Sequence, residues 1–139
     1  NNGILSQYQR LVQILDAYRN EDMNTAARIY VETDFSVLTD GVLDSTVSWL
    51  RQDMADKAYV LLAQMGDAAA ATAGGAAQAI DLYQKSLTLK GDNPEVIYKL
   101  GMVYQGQEDT ASANQYFGDV IMNYPDSEYA ALAKEQRGY

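Results

Sequence analysis

The stretch Asn93–Pro125, NPEVIYKLGMVYQGQEDTASANQYFGDVIMNYP, constrains this chain more than any other. It reads as a helix, a tight turn and a second helix closed by a proline. Leu100, Gly101 and Tyr104 recur at helical offsets in the first half, and Ala113 and Phe117 in the second. A hairpin of this size cannot bury its apolar side alone, so it requires neighbours stacked against it. The spacing predicts an antiparallel hairpin over 94–123, with Tyr104 and Phe117 buried and Gly101 against the facing helix. A helical-repeat scaffold follows, which directs the reading of function toward holding a partner.

The rest of the chain fits that expectation. Ile4, Tyr8, Leu11, Leu15 and Tyr18 follow one another at three- and four-residue steps and predict a helix with one apolar face. The polar NEDMN at 20–24 reads as a turn, and Ala26, Ala27 and Tyr30 as the contact face of a second helix. Phe35 and Leu38 are expected to tuck inward before Asp40-Gly41 turns the chain. Val47, Leu50, Met54, Ala58, Leu61, Leu62 and Met65 keep a helical rhythm, which predicts one long helix over 42–72. A break near Gln52-Asp53 is the alternative, because thirty residues exceeds the usual helix length. Trp49 stands beside that stripe. Gly74-Gly75 marks a corner, and further helices are predicted at 76–90, 94–106, 110–123 and 127–137. Asn93 suits an N-cap and Pro94 the first helical position. Nothing alternates as a strand would.

Charge and composition narrow the chemistry. The 139 residues carry 19 acidic and 10 basic side chains, a net charge of -9 spread over both halves. Such a surface repels nucleic-acid phosphates and anionic lipid, and favours a basic partner if it favours any. Histidine and cysteine are absent, which removes the commonest general base, thiolate ligands and disulfides. The carboxylate pairs Asp53/Asp56, Glu21-Asp22 and Glu108-Asp109 match no calcium loop, and those in turns read as caps near helix N-termini. Gly74-Gly75 lacks the lysine and hydroxyl of a phosphate loop. No catalytic residue, metal ligand or cofactor-binding residue is therefore assigned, and the chain is not expected to be an enzyme. No apolar run approaches the ~20 residues of a membrane span. Any membrane link is expected through a segment absent from this chain.

Pro94–Pro125 resembles a tetratricopeptide repeat. Ile97, Leu100, Gly101, Tyr104, Ala113, Phe117 and Pro125 occupy the signature positions, and Val120 stands where alanine is usual. Upstream, Ala79, Tyr83 and Ser86 fit the second-helix pattern, but Gly91 replaces the proline. The first-helix leucine–glycine pair is missing from its expected place, as an inserted corner would explain. Residues 8–31 look like a further, degenerate hairpin. The tail at 124–133, YPDSEYAALA, is similar to the ends of such domains in bacterial envelope proteins.

The resemblance implies an all-α fold, a right-handed superhelical stack of antiparallel hairpins in one domain over 1–139. Its parts would be a hairpin at 4–33, a long helix and its partner at 42–90, the clear repeat at 94–125 and a capping helix at 127–137. It also implies a binding face on the first helix of the clear repeat, formed by Glu95, Tyr98, Met102 and Gln105. A ring and a thioether can bury apolar side chains, and an amide can bond a peptide backbone. Tyr98 and Met102 could equally be covered by the chain's own neighbouring helices. The expected function is a protein- or peptide-binding adaptor in an extracytoplasmic bacterial assembly, with no nucleic acid and no small-molecule cofactor. The alternative is a structural spacer or oligomerisation module of a larger anchored protein, and a third reading is an enzyme.

Overall fold

The computed structural model describes residues 2–137. Among them are eight α-helices and no strand: α1 (Asn2–Arg19), α2 (Met23–Glu32), α3 (Asp44–Met54), α4 (Ala58–Ala70), α5 (Ala76–Leu89), α6 (Pro94–Gly106), α7 (Thr110–Asn123) and α8 (Glu128–Arg137). The chain divides into two compact units, residues 1–62 and 63–139.

In the first unit α1 and α2 form a hairpin. The buried face of α1 is Leu11, Ile14 and Ala17, and α2 meets it with Ala26 and Ala27, both fully buried. This corrects the expected stripe. Ile4 lies exposed near the helix start, while Tyr8, Leu15 and Tyr18 are only half-buried at the margin of the contact. Alanines set the axes close together, so the deepest α1 positions are those facing them rather than the bulkiest ones. Phe35 and Leu38 do turn inward, through a single 3-10 turn at Phe35–Val37. Leu38 is buried, and the half-buried Phe35 ring lies 5.2 Å from Tyr30 with the Arg51 guanidinium 5.5 Å above it. A second 3-10 turn, Gly41–Leu43, leads into α3.

The single helix expected over 42–72 is broken. α3 ends at Met54 and α4 begins at Ala58, so the break at 55–57 lies just beyond the Gln52-Asp53 alternative. The Lys57 amide donates to Met54 O at 3.2 Å, a tight turn between the two helices. Side chains hold it: Asp53 accepts from the Tyr18 hydroxyl at 2.5 Å and from Lys57 at 2.8 Å. Trp49 remains half-exposed and rests against Tyr18, ring centroids 5.2 Å apart.

The second unit runs from the rest of α4 to α8, each helix packing on the next. α4 ends before a five-residue connection, 71–75. Gly74 there has φ +78°, and a β-carbon on Gly75 would strike the Ala69 carbonyl, so both glycines are required by the corner. α6 is capped as expected, Asn93 accepting from the Val96 amide, with Pro94 in the first turn. The turn into α7 needs only residues 107–109. Asp109 caps α7 by accepting from the Ser112 amide at 3.1 Å.

The core of this unit gathers Ile97, Ala113, Phe117, Val120, Ala130 and Ala133. Phe117 is buried as expected, but Tyr104 is only half-buried. It lies in the last turn of α6, where its ring overhangs the end of the hairpin and stacks on Tyr116 at 5.6 Å and 9°.

Candidate partner-binding groove

One face of α6 stays open, and the winding of the helix explains why. At about 100° per residue, Val96, Ile97, Leu100 and Gly101 fall on one side and Glu95, Lys99, Met102 and Gly106 on the other. The first set is buried. The second set faces the C-terminal part of α4 on one flank and α8 on the other.

Between the end of α4 and the second half of α6 lies a cleft of about 550 Å³. Short side chains form much of its walls, Ala70, Ala71, Gly74 and Ala76 on one side and Val103 and Gly106 beside Met102 on the other, with Asp67, Thr72, Tyr83, Lys99 and Gln107 completing the lining. Small residues on facing walls leave room for an inserted side chain. Met102, 36% exposed, forms an adaptable thioether wall.

A polar network closes one end. The Tyr83 hydroxyl donates to Asp67 Oδ1 at 2.6 Å, and Lys99 reaches Asp67 at 3.1 Å and Glu95 at 3.7 Å. Burial of the Tyr83 phenol, and then the carboxylate of Asp67 it bonds, push its pKa well above the ordinary tyrosine value. The Tyr83 ring packs against Gly66, where a β-carbon would fall 2.6 Å from Cε1. Lys99 is thus shared by two carboxylates and is not free to hold an anionic ligand. The cleft is apolar and slightly acidic, suited to an aliphatic side chain.

The four residues singled out from the sequence are divided by the structure. Met102 lines the cleft, and Glu95 stands beside it through Lys99. Tyr98 is turned toward α8 and half-buried, its ring 5.7 Å from Phe117 and 5.8 Å from Tyr129. Gln105 is exposed on the same flank, outside the cleft lining.

Sequence reasoning missed Asp67, Lys99, Val103 and Gly106. It also missed the glycine that aligns them. Gly66 plays against Tyr83 the part that Gly101 plays against Phe117, but it sits one position earlier than the 34-residue period puts it. The longer corner at 71–75 takes up that residue. Allowing for it brings Asp67 opposite Met102 in the repeat, which would have marked Asp67 as a groove position.

Among the described residues no group of three or more carboxylates could hold a metal ion, and no helix is long and apolar enough to cross a membrane. The family model described as tetratricopeptide repeat matches residues 62–135, from the first half of α4 into α8. No curated protein matches the chain.

Proposed function

The chain belongs to the tetratricopeptide repeat family, whose repeats generally mediate protein–protein interaction, and from that premise we propose that it is an adaptor that takes an extended peptide segment along the open face of α6. The observation that carries this reading is the cleft between α4 and α6, with short walls and Met102 exposed. An apolar side chain of the partner fills it, and Gln105 offers an amide to the partner's backbone. Members of the family typically act as interaction modules rather than enzymes. The assembly served is extracytoplasmic and bacterial. That part rests on the likeness of residues 124–133 to envelope repeat domains, and fractionation of the native cells tests it.

The binding reading is tested by selecting a displayed random heptapeptide library on the whole chain. Enriched peptides, added to isotope-labelled protein, are expected to shift the amide resonances of Met102, Val103 and Gly106. Failure to enrich any sequence, or shifts confined to other surfaces, overturns it.

A further inference from the structure

The chain has five methionines and no cysteine, so all of its sulfur is thioether and no thiol competes for an oxidant. The fold sorts these methionines. Met54 is 1% exposed, and Met23 and Met65 are half-buried. Met122 is 81% exposed on α7 and Met102 36% exposed on α6. Of these two, Met102 alone lines the cleft. Its neighbours leave it open to solvent. Gly106, four residues on and therefore beside it on the helix surface, brings no side chain, and Gly74 stands in the facing wall. A β-carbon at either glycine would meet open space. Lys99, three residues back, is held by Asp67 at 3.1 Å and Glu95 at 3.7 Å. A small oxidant therefore reaches the cleft at the end where Met102 and the two glycines lie.

We propose that Met102 is an oxidation site that converts the cleft from an apolar to a polar pocket. This rests on the adaptor reading and gives it a regulation. The oxidant is a hydroperoxide. A lone pair of Met102 Sδ attacks the terminal peroxide oxygen, and the S–O bond forms as the O–O bond breaks. Sulfur gives up two electrons and the peroxide is reduced. The leaving oxygen takes the proton of the transferred one and departs as water, or as an alcohol from an alkyl hydroperoxide. The thioether becomes a sulfoxide, which is polar and accepts hydrogen bonds. An aliphatic side chain entering the cleft strips water from that oxygen and offers no donor in return, so it binds less well. Sulfoxide reductases return the thioether, which makes the change reversible.

The test uses the whole chain and the heptapeptides enriched by display. The protein is treated with hydrogen peroxide, quenched, and mapped by mass spectrometry of its fragments. Oxygen is expected on Met102 and Met122, while Met54 remains a thioether. Calorimetric titration is expected to show about tenfold weaker binding of an enriched peptide to the oxidised protein, with its thermal melt unchanged. A pair of sulfoxide reductases, one for each epimer, is expected to restore the affinity. Met122→Leu is expected to lose affinity on oxidation as the parent does. Met102→Leu, a swap of similar volume at an exposed position, is expected to keep its affinity through the same treatment. A Met102 that stays reduced while Met122 is oxidised, or an oxidised protein that binds as tightly as the untreated one, overturns the switch and leaves the adaptor standing. An equal loss of affinity in oxidised Met102→Leu does the same. Peptides that shift no amide of α6 overturn both.

Discussion

Gly101 carries the ring of Phe117 directly on its backbone: a β-carbon at residue 101 would lie 2.5 Å from Phe117 Cε1. Phe117 is buried among Ile97, Val120 and Ala130 and has nowhere to retreat. Gly101→Leu is therefore expected to overpack the α6–α7 contact and lower stability by about 1–3 kcal/mol. Urea unfolding measures it. A midpoint equal to the parent's would show that the ring has room to move.

The two short hairpin turns each place a glutamate in left-handed backbone, Glu21 at φ 56° and Glu108 at φ 64°. That conformation costs a side-chain-bearing residue roughly 1–2 kcal/mol, against about 0.5–1 kcal/mol of extra chain entropy for glycine. Glu108→Gly is expected to raise stability by about 0.5 kcal/mol. A lower denaturation midpoint for this variant would mean that the glutamate side chain contributes more than its backbone costs.

Alkaline pH is expected to weaken the fold through two tyrosines. Tyr18 bonds Asp53 and Tyr83 bonds Asp67, and burial followed by those bonds raises both phenols above their unfolded value near 10. A raised folded pKa gives stability that is complete below the unfolded value and is lost as pH climbs from there through the folded one. Stability should hold steady from pH 7 to about 9.5 and decline above about 10. In Tyr18→Phe, Tyr83→Phe the decline should be shallower. Chemical denaturation across that range decides it, and identical slopes for parent and variant would exclude these two groups as the cause.

Binding and stability should separate along α6. Met102→Ala removes an exposed thioether, so its cost is expected in affinity for a groove peptide, about fivefold, with the melt unchanged. Tyr98→Ala also removes ring contacts to Phe117 and Tyr129, and is expected to lower the melting temperature as well as affinity. The ring cluster makes Tyr98→Ala a packing change as well as a binding one. Calorimetric titration paired with thermal melts distinguishes the two variants.

Helix positions in the second unit were legible because each end carries its own chemical sign. Pro94, the Asp109 cap and the Gly74-Gly75 corner fix where helices start and stop, and the bounds of α6 and α7 match the expected ones. The break at 55–57 was legible only from helix length, as the alternative near Gln52-Asp53, and not from periodicity. Leu50, Met54, Ala58 and Leu62 are all buried and keep a four-residue step straight through it. Periodicity cannot report a turn that preserves its own phase. Half the candidate site was hidden for a related reason. Lys99 and Asp67 join the groove by pairing across two helices, and no local pattern encodes a partner 32 residues away.

The packing of each helix in the second unit on its sequence neighbours also sets the kinetics of folding. Contacts between successive elements close short loops, and chains built from them fold rapidly, within microseconds to milliseconds for helical domains of low contact order. The last helix, α8, packs on its neighbour α7 and is also tied back to α6, where the Tyr129 ring meets Tyr98 at 5.8 Å. α6 packs on α5, α7 and α8, so its amide hydrogens are expected to exchange more slowly than those of α8. Opening of α8 would take the Tyr129 ring off Tyr98, so a partner that reads this flank of the groove is expected to bind the closed array and to slow that exchange.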